Sequence, residues 1–289
     1  MNFEPLTVYA PAEIRCPVVL DSPHSGSHFP ADFGAAVSEY DLRDGEDCFI
    51  DELYRPAVEL GMPLLAALFP RTYLDPNRHA ADIDLALLEN AHWPHPCVPS
   101  GKAAIGKALI WRTLDDGRPI YDRVLSVAEV QARIDSCHKP YFARLSELLD
   151  AAHARFGVVV HLNCHSMNSV GGPMAEGRTG KPRADFVLGD RDGSTCDPAL
   201  TALVRERLQA MGYEVAVNDP FKGVELVRAF ADPGAGRNSL QLEINKRLYM
   251  DQATRRPHEG FAPLQRHLMQ LLAELARWPA RSDPNALTG

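Results

Sequence analysis

Two segments of this chain bring a histidine and a serine to the end of a hydrophobic stretch. Residues 158–160 are all valine, and the segment continues to His165 and a serine; residues 18–20 are Val-Val-Leu, and His24 follows with another serine. In open α/β sheets, ligands bind beyond the carboxyl ends of the strands. The two segments therefore predict one shared site, and a pair of imidazoles indicates a metal ion. His28 is the nearby alternative to His24.

A catalytic metal site needs more than two imidazoles, because catalytic zinc keeps three protein ligands and a water. Glu46 and Asp47 begin a predicted helix over residues 46–61, and either carboxylate could be the third ligand. Acidic residues in a first helical turn also stabilise the helix dipole, so a structural role stays open. His161 is not predicted as a ligand, because on a strand it lies about 13 Å from His165.

Glu243 is the candidate general base. It lies in a hydrophobic, strand-like stretch over residues 239–244, and buried carboxylates are usually paired or functional. A glutamate beside a metal-activated water acts as general base and then general acid in amide hydrolysis. A salt bridge from Glu243 to Arg78 or Arg228 is the structural alternative.

Four basic residues are candidates for binding an acidic substrate. Arg71 and Arg78 follow a strand-like stretch, and a guanidinium binds a carboxylate through two parallel hydrogen bonds. Arg71 is also the first candidate for stabilising a developing oxyanion. Lys222 and Arg228 could clamp a carboxylate. Structural alternatives remain, since Arg78 could pair with Asp75 in a turn and the other cations could be solvated surface charges.

Strand-like and helical segments alternate along the chain. Ser126 and Glu129 form a capping box at the start of a long helix, which Pro140 should kink or divide. Further helices are predicted after Asp197 and over about residues 258–278. This alternation predicts a layered α/β fold with a mixed, mostly parallel sheet. The strand-like stretches lack clear period-two alternation, which predicts strands covered on both faces; they lie at about residues 16–21, 64–69, 71–75, 157–164, 185–189, 213–217 and 239–244.

Composition narrows the classes of partner. The 289 residues carry a net charge of −8 without a basic stripe, which argues against nucleic acid, and no apolar run is long enough to span a membrane. No signal peptide is evident, and the six scattered cysteines favour reduced thiols and a cytoplasmic location. We expect one domain over residues 1–289, with a loop-rich excursion at about 79–125 that could cover a site.

Taken together and in order, these motifs resemble the N-formylglutamate amidohydrolase family along nearly the whole chain. That family is similar in fold to zinc carboxypeptidases and aspartoacylases, which implies a three-layer α/β/α structure with a central mixed sheet. The matching pieces are Pro23-His24-Ser25-Gly26, Asp47 with Asp51-Glu52-Leu53-Tyr54, Arg71 with Asp75 and Asn77-Arg78, Cys164-His165-Ser166, Cys196-Asp197-Pro198, Phe221-Lys222-Gly223, Arg228, and Gln241-Leu242-Glu243.

The resemblance implies specific roles for these residues. Zinc, or another divalent metal, would be held by His24, His165 and Asp47, with Glu46 in reserve for Asp47. Glu243 would be the general base. The same resemblance implies that Asn77 and Arg78 bind a substrate carboxylate. It also implies that Arg71 or Arg228 interacts with the scissile carbonyl.

The implied reaction is hydrolysis of N-formyl-L-glutamate to formate and L-glutamate during histidine breakdown, so the expected partner is a small-molecule N-acyl amino acid substrate, and the oligomeric state stays open. Val224 and Glu225 stand where this family usually has Gly-His, and an acidic Glu225 near the substrate predicts weaker binding of a dicarboxylate. Two alternatives remain, namely a carboxypeptidase-like or other N-acyl amino acid deacylase with the same metal site, and a binding protein without catalysis.

Overall fold

A mixed β-sheet forms the centre of the computed structural model, which describes residues 4–173 and 179–278. Within those residues the sheet has seven strands, and a separate hairpin has two. The sheet strands are β1 (Leu6–Tyr9), β2 (Val18–Ser22), β3 (Leu64–Ala67), β4 (Val159–Met167), β5 (Phe186–Gly189), β6 (Val215–Val217) and β7 (Arg237–Asn245); the hairpin strands are β8 (Met250–Asp251) and β9 (Arg256–Pro257).

The strand order is β1-β3-β2-β4-β7-β5-β6. Four of the six neighbouring pairs are parallel; β1 with β3 and β5 with β7 are antiparallel. The predicted α/β class with a mixed, mostly parallel sheet is confirmed. Six of the seven predicted strands are present, with shifted ends, and β1 was not predicted.

The predicted strand over residues 71–75 is wrong. Pro70 starts a turn there, and its carbonyl accepts hydrogen bonds from the amides of Tyr73 and Leu74. Both of these side chains are buried in a hydrophobic cluster, which explains a hydrophobic pattern without a strand.

The helices cover both faces of the sheet. The α-helices are α1 (Glu39–Leu42), α2 (Ile50–Tyr54), α3 (Val127–Arg133), α4 (Lys139–Phe156), α5 (Pro198–Ala210), α6 (Glu225–Phe230) and α7 (Phe261–Leu275). Shorter 3₁₀ segments are Arg43–Gly45, Arg55–Leu60, Leu85–Leu87, Glu89–Ala91, Ala103–Ile105, Pro233–Ala235 and Lys246–Leu248, and Ile134–His138 is a π-helical segment. In the described part of the chain, no helix has the length and apolar character needed to cross a membrane.

Local sequence signals explain several helix ends. Ser126 and Glu129 form both hydrogen bonds of the predicted capping box before α3. The predicted division near Pro140 is present, because the π-helical segment separates α3 from α4. The helix predicted to begin at residue 46 begins only at Ile50, since Phe49 has a left-handed backbone with φ of 64°.

Two hydrophobic clusters lie on opposite faces of the sheet and give three layers. One contains buried residues of α2, α5 and α7, and the other contains residues of α3, α4 and α6. The 79–125 excursion packs into the second cluster through side chains such as Leu109 and Trp111. It is therefore an ordered wall on one face of the sheet rather than a detached loop.

β4 and β7 alternate strictly, contrary to the prediction of strands without period-two alternation. His161, Asn163 and His165 share one face of β4, and the residues between them join the apolar cluster on the other face. Ser239, Gln241 and Glu243 do the same on β7 and lie in register beside them. The sequence of both strands shows this alternation, but both faces are buried, so polarity here does not mark exposure to solvent.

Candidate active site

Three side chains that are distant in sequence converge at the carboxyl ends of β2 and β4. His24 follows β2, His165 lies near the end of β4, and Asp47 lies in the extended link before α2. The His24 and His165 Nδ1 atoms are 3.1 Å apart, and Asp47 Oδ2 is 3.0 Å from the second and 3.3 Å from the first. All three side chains are buried.

Backbone contacts hold the His24 turn and the Asp47 link together. The Asp47 amide donates to the His24 carbonyl at 3.0 Å, and Ser25 donates to the Asp47 carbonyl at 3.1 Å. Gly26 allows this turn to pass close to β3, because a Cβ atom there would lie 2.3 Å from the carbonyl oxygen of Phe69.

The hydrogen bonds of the two imidazoles determine which nitrogen faces the cluster. His24 Nε2 is 2.7 Å from the Asp75 carboxylate, and His165 Nε2 is 2.7 Å from the carbonyl oxygen of Asn163. A neutral imidazole has one N–H, and both of these partners accept it. With the proton on Nε2, Nδ1 of each ring directs a lone pair toward the cluster. Carboxylate–histidine pairs of this kind orient metal ligands.

A metal ion fits these atoms. Tetrahedral ligands about 2.0–2.2 Å from an ion lie roughly 3.3–3.5 Å from each other, close to the separations seen here. Burial lowers the pKa of His165 and so keeps the ring neutral at physiological pH. Burial disfavours the charged form of Asp47, but its polar contacts with His165 and His24 outweigh burial and hold its pKa below the usual range.

The structure separates the two candidates for the third ligand. Asp47 joins His24 and His165 in the one group of potential metal ligands found in the described residues. Glu46 instead forms a two-fold ion pair with Arg43, at 2.6 and 2.9 Å. The Glu46 side chain therefore binds Arg43 and does not join His24, Asp47 and His165.

Glu243 lies beside this cluster. It is paired in register with His165 on the neighbouring strand, which places both side chains on the same face of the sheet. Its Oε1 atom accepts a hydrogen bond from Gln241 at 2.9 Å. Burial, followed by the negative charge of Asp47, raises the pKa of Glu243 well above its usual value. A carboxyl group with a raised pKa can both take up and release a proton near neutral pH.

The cluster opens into a cavity of about 490 Å³, a size usual for small-molecule sites. His24, Asp47, His165 and Glu243 all line it. Arg71 lines it as well, with its Nη2 atom bound to Asp75 at 2.7 Å. A glutamate with a raised pKa, three potential metal ligands and a cation thus face one space, which is the arrangement expected of a metal-dependent hydrolase.

Comparisons with known proteins identify the family. The model of the N-formylglutamate amidohydrolase family matches residues 16–250. The chain belongs to this family. An N-formylglutamate deformylase of Pseudomonas aeruginosa is 32% identical over 246 residues, which cover 82% of this chain and 84% of that protein. An N-formylglutamate deformylase of Pseudomonas putida is 29% identical over 276 residues, or 92% of this chain and 94% of that protein.

Solved structures agree with this assignment. The crystal structure of an N-formylglutamate amidohydrolase from Ralstonia eutropha JMP134 has a TM-score of 0.91 and 48% sequence identity, covering 97% of this chain and 100% of that one. A gene product of Agrobacterium tumefaciens shares the fold, with a TM-score of 0.69, 18% identity and 97% coverage of both chains.

In this member of the N-formylglutamate amidohydrolase family, three of the four predicted substrate-binding residues line the cavity, namely Asn77, Arg78 and Lys222. Arg228 is not among the lining residues, because it forms a two-fold ion pair with Glu225 at 2.7 and 2.9 Å. Glu225 is not a lining residue either, and its carboxylate is bound to Arg228, so its charge does not face the cavity directly.

The sequence analysis missed several cavity residues, above all those of the 79–125 excursion. Lys107 binds Asp115 at 2.7 Å, and its Nζ atom lies 3.5 Å from the centre of the Trp111 ring. The Arg71 guanidinium packs on the same ring at 4.8 Å. The one available signal was the density of cationic and aromatic residues in a segment without periodicity.

The raised pKa of Glu243 predicts a pH-dependent effect on stability. We expect Glu243→Gln to stabilise the metal-free protein increasingly as the pH rises above about 4.5, the ordinary glutamate value, because the folded state resists ionisation while the unfolded state does not. The gain should level off above the folded-state pKa. Urea denaturation at several pH values measures it. The exposed Glu206→Gln is the control; parallel pH curves for both variants would contradict the assignment.

Proposed function

We propose that this protein hydrolyses N-formyl-L-glutamate to formate and L-glutamate with the help of a divalent metal, zinc in the first instance. The observation that supports this most strongly is the convergence of two imidazole lone pairs and a carboxylate beside Glu243. Zinc takes nitrogen and oxygen ligands of this kind, and His24, Asp47 and His165 would hold it. Bound there, it would supply a Lewis acid that lowers the pKa of water and polarises a carbonyl.

The residues of the chain perform the proton transfers. Glu243 takes a proton from the attacking water as the water oxygen bonds to the formyl carbon. Glu243 then gives this proton to the amide nitrogen as the carbon–nitrogen bond breaks, which releases the free amine and formic acid; the acid then loses its proton to become formate. Arg71 is held by Asp75 and Trp111 at the cavity wall and donates to the formyl oxygen as negative charge develops on it.

The charge of the cavity supports a substrate with two carboxylates. Seven cationic side chains and four carboxylates line it among the described residues, although the whole chain has a net charge of −8. Arg78 is mostly buried in this wall, with its Nε atom bound to the Lys107 carbonyl at 3.2 Å. We assign Arg78 and Lys222 to the substrate carboxylates, which guanidinium and ammonium groups bind well.

Metal binding should depend on Asp47 and not on Glu46. We expect Asp47→Asn to weaken zinc affinity by at least about 100-fold, since loss of an outer-sphere partner alone costs 10–100-fold. Glu46→Gln should leave zinc affinity nearly unchanged. Elemental analysis and chelator competition on the purified variants measure both effects. Equal losses in the two variants would refute Asp47 as the ligand.

Turnover should depend on Glu243 without a matching loss of metal. We expect Glu243→Gln to bind zinc normally and to lower kcat by about 10²–10⁴-fold, the usual contribution of a general acid–base. Formate release and metal content, measured on the same preparation, test this expectation. The exposed Glu206→Gln serves as control; a Glu243→Gln variant with normal kcat would exclude Glu243 as the base.

A substrate panel tests the proposed activity itself. We expect kcat/KM to be highest for N-formylglutamate and lower for N-formylaspartate, whose side-chain carboxylate is one methylene closer to the backbone. Formyl amino acids with neutral side chains lack one charge pair, so their kcat/KM should be at least about tenfold lower, a difference of about 1.4 kcal/mol. Arg78→Met should raise KM for N-formylglutamate and reduce this preference, whereas Arg228→Met, outside the cavity, should not. Faster cleavage of succinyl or peptidyl amino acids would favour the deacylase or carboxypeptidase-like alternative.

A further inference from the structure

A chain of buried hydrogen bonds runs from His165 into the interior of the sheet. His165 Nε2 is 2.7 Å from Asn163 Oδ1, and Asn163 Nδ2 donates to Asp21 Oδ1 at 2.8 Å. Asp21 also accepts from His161 Nε2 at 2.9 Å and from the Tyr141 hydroxyl at 2.8 Å. All five side chains are buried, and Tyr141 comes from α4 on the same face of the sheet.

Two amide side chains compete for the Nε2 atom of His165. Asn163 presents its carbonyl oxygen, which requires a proton on Nε2. Asn77 presents its amide nitrogen at 3.2 Å, which would require a lone pair on Nε2. The orientation of Asn77 is determined elsewhere, because its carbonyl oxygen accepts the Leu226 backbone amide at 2.9 Å. The two amides therefore favour opposite tautomers of the same ring.

Asp21 decides this competition through Asn163. Burial disfavours the Asp21 carboxylate, but His161, Asn163 and Tyr141 outweigh burial and hold its pKa below the usual value. An ionised carboxylate can only accept, so Asn163 must turn its NH₂ group toward Asp21 and its carbonyl toward His165. The opposite orientation of Asn163 would place its carbonyl oxygen against the carboxylate.

We propose that Asp21 and Asn163 are positioning residues that keep the proton of His165 on Nε2 and so leave its Nδ1 lone pair for the metal. Asp75 keeps the His24 proton on Nε2 through a direct hydrogen bond, whereas Asp21 acts on His165 through the side chain of Asn163. The importance of this tautomer for metal binding rests on the proposed function. The tautomer itself is a property of the metal-free protein and can be measured separately.

The decisive experiment removes the amide link. In metal-free Asn163→Ala, we expect the His165 proton to move from Nε2 to Nδ1, because Asn77 can then donate to Nε2 and Asp47 can accept from Nδ1. ¹⁵N NMR of the imidazole nitrogens distinguishes the two tautomers. Zinc affinity, measured by chelator competition on the full chain, should fall about 10–100-fold, as for other outer-sphere partners.

Variants of Asp21 and of its hydrogen-bond partner Tyr141 provide the controls. Tyr141→Phe also removes one hydrogen bond to Asp21 but lies outside the path to His165. In this variant the His165 tautomer should not change, and the zinc affinity should stay within about twofold of wild type. Asp21→Leu should shift both. Asp21→Asn should restore both, because an amide oxygen can accept from His161 and Asn163 while the Tyr141 hydroxyl rotates to accept the new NH₂ group.

Several results would overturn the proposal. These are a wild-type His165 with its proton on Nδ1, an unchanged tautomer in both Asn163→Ala and Asp21→Leu, or an equal loss of zinc affinity in Tyr141→Phe. If Asn163→Ala does not fold, Asp21→Leu and Asp21→Asn still decide the question. If the wild type binds no divalent metal, the proposed function fails, and the NMR measurement still tests the tautomer.

Discussion

The repulsion among three electron-rich atoms is the constraint on which the site depends. Two imidazole lone pairs and the Asp47 carboxylate face one point at separations of 3.0–3.3 Å. Such an arrangement in a buried place needs a compensating positive charge, because electrostatic interactions there are much stronger than in water. The protein keeps both rings in this orientation because rotating either ring would break its hydrogen bond to Asp75 or Asn163.

One face of the sheet is accordingly built from polar residues that satisfy one another. A buried polar group without a partner costs free energy, which favours hydrogen bonds among these side chains. From His161 to His165 on β4 and from Ser239 to Glu243 on β7, every second residue joins this polar face, while the residues between them pack in the opposite apolar layer. The same network that completes the interior also orients the residues at its open end, His165 and Glu243.

The cavity combines this polar face with a wall from the 79–125 excursion. Trp111 lies between the cations of Arg71 and Lys107, which keeps both guanidinium and ammonium groups at the cavity. The wall contributes positively charged side chains, whereas Asp47 and Glu243 contribute carboxyl groups. A substrate with two carboxylates and a neutral scissile amide fits this cavity, because the carboxylates meet the cations and the amide meets the cluster. This geometry agrees with membership of the N-formylglutamate amidohydrolase family.

The sequence by itself determined the class of the fold, the capping box at Ser126 and the residue types of the candidate metal and base positions, because these depend on local periodicity and on chemistry at strand ends. It could not choose between Glu46 and Asp47, which are adjacent and equally acidic. It also could not separate Arg78 from Arg228, or find Trp111 and Asp21. Two of those choices follow from ion pairs between residues three positions apart, Arg43 with Glu46 and Glu225 with Arg228. The role of Asp21 follows from its contact with Asn163, which is distant in sequence. The spacing in the sequence allows such pairs, but only the tertiary structure decides whether a charged side chain turns to a neighbour or faces the cavity, because the same group cannot do both fully.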